Sequence, residues 1–406
     1  DLETICQKIE DKGIPIVAAF DNAGAISYPA AYPFVIGVDT SLRCTRADDF
    51  VYVEGSPINI RAKGGAQRIP WIDPYYIINQ GSSFATPYVT AYLAKLFEKG
   101  LSKDEAMRCI KEHARFVYEA QAPTAVSIGS IQCAVLFSYN KEMHSLISFR
   151  DHLPFRICQV TDSKYSGHLG LPVRGLFDQK DFCTVQSTES IQWDKIDTCI
   201  IGHISEIEGT SGKQIKRVLL QQCLDHGINV YSFDSEDCAE FRSKFTASQH
   251  FLYSPNDIDL HVQNHFGKLY ILRAPVLGIF GTTKSQGKFT LQLQLRFALQ
   301  DMGYDIAQLG TEPSSILFGM DAVYPFGYNG IGEQEISRCI ENVNLMMHTL
   351  DSRCPDLILV GSQSGLIPAA YYNTGQIPLH QIAFLLGTKP DAVILCTNVD
   401  DSLEYI

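Results

Sequence analysis

The chain has 406 residues, 45% of them hydrophobic and 19% charged, an ordinary globular balance with length for about two to four domains. Its net charge of -12 excludes the clustered Lys and Arg of a nucleic-acid footprint, and no apolar run is long enough to span a membrane. The twelve cysteines show no Cys-x-x-Cys pair and no metal-ligand spacing, and several sit in apolar strand-like runs, so they read as reduced, buried thiols of a cytoplasmic protein.

The chain opens within a helical pattern that leads into a buried strand over 14–20, ending at Asp21-Asn22-Ala23-Gly24. Two X-Pro turns, Tyr28-Pro29 and Tyr32-Pro33, feed a second apolar strand over 34–39. Next, Gly81-Ser82-Ser83-Phe84-Ala85-Thr86-Pro87 runs into an apolar helix over 88–97. A helix N-terminus gathers unpaired N–H groups and partial positive charge, so Ser83 placed there reads as a nucleophile toward a carbonyl. Asn22, delivered to a strand end, reads as an oxyanion donor, a role worth about 3–4 kcal/mol in acyl-transfer sites.

In this order the three segments resemble the C-terminal half of a subtilisin-like serine peptidase, over residues 1–133. The resemblance implies Ser83 as nucleophile, Asn22 as oxyanion-hole amide, a cis Tyr28-Pro29 bond, a peptide or protein substrate, and no cofactor for proteolysis. Asp21 stands where that family usually has glycine, which alters the pocket wall, and Tyr88 replaces a non-catalytic histidine. The family's catalytic Asp and His belong to segments before the asparagine strand, so the chain reads as a fragment. None of its eleven histidines sits where that base is expected.

Ser102 with Glu105 forms a capping box that opens a helix read as 102–118, and 129–150 read as alternating strands. From Pro154 strands and helices alternate: a strand over 196–202, a helix over 212–226 and a strand over 228–233. That order predicts a parallel sheet, Rossmann-like yet without the Gly-x-Gly-x-x-Gly that would mark a dinucleotide site. The stretch from Phe137-Ser138-Tyr139-Asn140-Lys141-Glu142 onward is loosely similar to accessory proteins of peptide natural-product maturation.

A second chemical signal begins with a strand over 275–280, a loop over 281–290 and a helix over 291–302. The loop reads as a modified P-loop: Gly281 and Gly287 let the backbone curl so that N–H groups face an anion, and Lys288 adds a point charge. Five residues rather than four separate the two glycines, and Phe289 intervenes before Thr290, which weakens the case for a metal-dependent step. Further strands follow over 304–313, carrying the carboxylate Glu312, over 356–365 and over 390–398.

Residues 154–406 resemble a P-loop family that includes D-glutamate N-acetyltransferases, whose loop runs Gly-Thr-x-x-x-x-Gly-Lys-x-Thr. The resemblance implies a phosphate-containing small molecule, ATP, GTP or acetyl-CoA, held by Gly281, Thr282, Gly287, Lys288 and Thr290.

The combined expectation is an α/β chain: a partial subtilase parallel-sheet domain (1–133), a Rossmann-like α/β domain (134–268) and a P-loop α/β domain (269–406). Its expected activity is serine endopeptidase, with a fused ligand-binding module. The alternatives are an acyl- or phosphotransferase in the P-loop half beside an inactive peptidase-like scaffold, and a binding module alone.

Overall fold

The computed structural model describes residues 1–119, 128–175, 181–257, 264–325, 336–363, 365–367, 372 and 378–398. The chain forms two compact units. One holds residues 1–123, 260–272 and 340–348, and the other holds 124–259, 273–339 and 349–406.

The first unit is built on a five-stranded sheet in the order Val17–Ala19, Ile36–Thr40, Ile60–Ala62, Val51–Val53 and Phe116–Tyr118. Only the pairing of Ile60–Ala62 with Val51–Val53 is antiparallel. Helix Ser82–Glu98 covers the sheet, burying Ala85, Val89 and Leu93 against Ile36, Val38 and Ile60. The Ser102 capping box is present, but its helix runs only Lys103–His113. The apolar residues 116–118 join the sheet instead, because pairing in parallel with Val51–Val53 gives their backbone a ladder that a solvated last helical turn lacks. The Tyr28-Pro29 peptide bond is cis.

The second unit holds two parallel sheets. The first has six strands, ordered Gln186–Ser187, Arg156–Asp162, Cys133–Phe137, Thr198–Ile201, Asn229–Ser232 and Leu252–Tyr253. Numbered along the chain, that order is 3-2-1-4-5-6, the order of the dinucleotide-binding fold. Part of the stretch expected as strands is the helix Lys141–Ser148: Asn140 caps it by accepting from the Met143 N–H, and Met143, Leu146 and Ile147 bury one face at helical spacing. The helix expected over 212–226 starts only at Ile215, after Gly212 turns the chain at a φ of 64°.

The second sheet has five strands, all parallel, in the order Ala322–Val323, Ile306–Gly310, Leu357–Gly361, Val276–Gly281 and Ala392–Cys396. Leu293, Leu317, Phe318 and Met320 from this half pack into one core with Leu136, Leu146 and Phe149 from the other. Ser364, at the end of the strand expected over 356–365, lies outside the described residues. The cysteine expectation needs one correction: Cys133 and Cys158, on neighbouring strands with Cα atoms 5.9 Å apart, form a disulfide. Among the described residues no helix is long and apolar enough to cross a membrane.

Candidate functional site

Strand Val276–Gly281 lies inside its sheet, between Leu357–Gly361 and Ala392–Cys396, and delivers the glycine-flanked loop to the sheet's C-terminal edge. Gly281 lets the loop's side chains close on the strand end, since a Cβ there would stand 2.6 Å from Gln286 Oε1 and 2.9 Å from Lys288 Cδ. Gly287 turns at a φ of 79° into helix Lys288–Asp301. Ser285, at a φ of 64°, holds the left-handed region without being glycine, at a cost of roughly 1–2 kcal/mol. Gly365 backs the loop, since a Cβ there would meet the Thr282 carbonyl oxygen at 2.2 Å.

The loop is braced from inside and open in its donors. Gln286 accepts from the Thr283 N–H at 3.0 Å and donates to Thr282 Oγ1 at 2.5 Å, tying the curve together. The backbone N–H groups of Lys284, Ser285, Gln286 and Gly287 donate to no backbone acceptor among the described residues. Lys288 is only 7% exposed and rests its ammonium on the Thr283 carbonyl at 2.7 Å. Burial holds its pKa below the ordinary lysine value, with nearby Lys141 acting the same way and Cys396 and Glu312 opposing. Thr290 lies in the first turn of the helix.

Glu312 follows strand Ile306–Gly310 and accepts from Gln363 Nε2 at 3.2 Å. Its pKa is pushed up to about 7, first by burial and then by Glu142, against the pull of Lys141, Lys288 and His203. A carboxyl poised near neutrality beside a buried ammonium marks functional chemistry more often than structure. The sequence carried one signal for it, a carboxylate just past a strand end in the P-loop half.

Beside the loop opens a cavity of about 880 Å³. Its wall includes Lys284 and Ser285 from the loop and the segments that leave three strands of the six-stranded sheet: 138–142, Asp162 to His168, and 203–211. This is the C-terminal edge where the strand order reverses, the usual ligand crevice of an open α/β sheet. The turn after the first strand reads Ser138-Tyr139-Asn140 with no glycine.

Asp162 ends the second strand, where dinucleotide folds place the acidic residue that binds ribose. Here the fully buried carboxylate accepts from the Tyr139 N–H at 3.1 Å, the Ser163 N–H at 2.7 Å and His168 Nδ1 at 2.8 Å. A carboxylate only accepts, so the bond places a proton on His168 Nδ1. His203 pairs likewise with buried Asp234 at 2.5 Å. Burial pulls the His203 pKa down, but the Asp234 hydrogen bond and charge, with Glu142 and Glu312 beyond, carry it above its ordinary value.

In the other unit the expected peptidase residues do not pair. Asn22 Oδ1 accepts from the Ser82 N–H at 2.8 Å and lies 3.1 Å from Ser82 Oγ, whose hydroxyl also reaches the Phe20 carbonyl. Ser83 is exposed, and its hydroxyl is bonded to no base among the described residues. A serine without a base is a weak nucleophile.

Residues 265–403 match the model of DUF1611, a domain of unknown function described as a P-loop domain. No curated protein matches the chain. A DUF1611 family protein from Anabaena variabilis is similar in structure, at 14% identity and a TM-score of 0.47, over 67% of this chain and 76% of that one. Aspartate semialdehyde dehydrogenase II from Vibrio cholerae matches at 12% identity and a TM-score of 0.23, over 58% of this chain and 70% of that one. A probable aspartate-semialdehyde dehydrogenase from Pseudomonas aeruginosa matches at 9% and 0.23, over 66% and 70%.

The peptidase expectation is therefore corrected. The family match falls on the P-loop and belongs to a domain of unknown function, not to a subtilase or a named transferase, and Asn22 Oδ1 holds the Ser82 N–H.

Proposed function

We propose that the chain is a P-loop transferase: the loop over 281–290 binds a phosphate-bearing donor, and the adjoining crevice of the six-stranded sheet holds a small acceptor. One observation carries the reading. Lys284 and Ser285 of the loop line the same cavity as Asp162, His168 and His203, so a ligand on the loop and a molecule at the strand ends would share one space.

The loop fits a phosphate anhydride through its tight turn at Gly281, the N–H groups of 284–287, which meet no backbone acceptor among the described residues, and its buried Lys288. Gly281, Thr282, Gly287, Lys288 and Thr290 are the residues that would hold it, and a nucleoside triphosphate or acetyl-CoA would bring an activated phosphoryl or acyl group. The crevice favours a small polar acceptor over a dinucleotide, because its first turn lacks the glycines that let a backbone approach a pyrophosphate and Asp162 is engaged by His168. His168, with its Nδ1–H held by Asp162, presents Nε2 as the proton acceptor for the incoming nucleophile.

Calorimetry with ATP, GTP and acetyl-CoA on wild type and Lys288→Ala tests the reading. One of the three should bind wild type and lose roughly a hundredfold in affinity in the variant, as expected when a charge-assisted contact is removed and its site left uncompensated. No binding by any of them, or equal affinity in the variant, would make the loop structural.

A further inference from the structure

Resting on that reading, we infer that Lys141 is a second phosphate-binding lysine of the loop, supplied by the six-stranded sheet, and that it recognises the terminal phosphate of a nucleoside triphosphate.

Lys141 opens helix Lys141–Ser148 directly after the Asn140 cap. A cation there opposes the helix dipole, which favours negative charge at this end, so local stability does not explain its presence. Its ammonium lies 3.0 Å from Ser285 Oγ, at the residue the loop holds in left-handed geometry. The contact joins two segments 144 residues apart in the chain.

Lys141 acts on Lys288, both act on Glu312, and Lys284 stands on the same cavity wall as Lys141. Facing these three lysines are Glu142 and Glu312, with His203 close by and tied to Asp234. Lys288 donates to a backbone carbonyl and Lys141 to a hydroxyl, and among the described residues neither ammonium makes a hydrogen bond to a carboxylate. Two ammonium groups converging on a loop with undirected N–H donors form a pocket whose positive charge an anion would neutralise. Lys141 and Glu142 also line the crevice, so a ligand that draws Lys141 onto the loop would reshape the acceptor site.

The test is calorimetry of ATP and ADP with the full chain as wild type, Lys141→Ala, Lys141→Arg and Lys288→Ala, with thermal melts verifying that each variant is folded. Lys141→Ala should weaken ATP about tenfold or more and ADP distinctly less, Lys141→Arg should keep most of the ATP affinity, and Lys288→Ala should weaken both. ATP affinity unchanged in Lys141→Ala, with the Lys288→Ala loss intact, overturns this inference alone. Wild type that binds neither nucleotide removes the inference along with the nucleotide reading on which it rests.

Discussion

Two helices in this chain start where a strand has ended and a glycine has turned the backbone, at Ser82 and at Lys288, and they have opposite electrostatic characters. At Ser82 the terminus is mostly closed by its own chain: Asn22 takes the Ser82 N–H and Gly81 O accepts from Phe84 and Ala85, while the Ser83 N–H meets no acceptor among the described residues. At Lys288 the loop curls so that the N–H groups of residues 284–287 meet no backbone acceptor among the described residues, and a buried ammonium stands beside them. A strand–turn–helix unit becomes an anion or oxyanion site only where flanking residues leave its donors open. The two termini look alike in sequence because the deciding bond, from Ser82 to Asn22, spans 60 residues.

The sharpest probe of this contrast is proton linkage at Glu312. The folded protein holds its proton more tightly than the unfolded chain, whose glutamate titrates near 4.5. Its stabilising contribution is therefore complete below about pH 4.5 and is lost as pH rises toward about 7. At roughly 1.4 kcal/mol per pKa unit, the difference is on the order of 3–4 kcal/mol. Hydrogen exchange in strand Ile306–Gly310 should slow in Glu312→Gln relative to wild type at pH 8 and match it at pH 4.5. Parallel behaviour of the two proteins across that range would remove Glu312 as a titrating group.

Next in size come the residues that close the Ser82 terminus. Gly81→Ala combines a φ of 139° with a Cβ only 2.9 Å from Asn22 Nδ2, so we expect a loss of about 2–3 kcal/mol in the first unit. Asn22→Ala removes a cap and should cost about 1–2 kcal/mol. Gly287→Ala at the other terminus, at a φ of 79° with open space around the Cβ, should cost only about 1 kcal/mol. Urea unfolding of the three variants checks the order, and a larger loss at 287 than at 81 would reverse the comparison.

Legibility in the sequence followed the range of the deciding interactions. The P-loop was readable because strand, loop and helix are contiguous and their meaning lies in glycines and one lysine within eight residues of each other. The strands near 196–202 and 228–233 were readable from short apolar runs bounded by turn residues. Residues 116–118 were misread as helix because their strand partner, Val51–Val53, is more than 60 residues away. The Cys133–Cys158 disulfide and the Asp234–His203 pair are products of strand order, and the Lys141 contact with Ser285 joins segments of two sheets, none of which spacing encodes; the Asp162–His168 pair is local, six residues apart. The Rossmann-like character of the six-stranded sheet was legible from alternating strands and helices, although the glycine signature is missing from its first turn.

The smallest expected effect bears most directly on the corrected expectation. Ser83 is exposed, and its hydroxyl has no hydrogen-bond partner among the described residues, so Ser83→Ala should change stability by less than about 0.5 kcal/mol. Ser82→Ala, one residue earlier, deletes a buried hydroxyl bonded to the Phe20 carbonyl and close to Asn22, and should cost about 1 kcal/mol or more. The pair separates two roles that the motif Gly81-Ser82-Ser83 superposes: a serine that closes a helix terminus and one that merely follows it. If Ser83→Ala proved the more damaging in urea unfolding, the hydroxyl at 83 would have a partner, and the contrast between a closed terminus here and an open one at Lys288 would have to be redrawn.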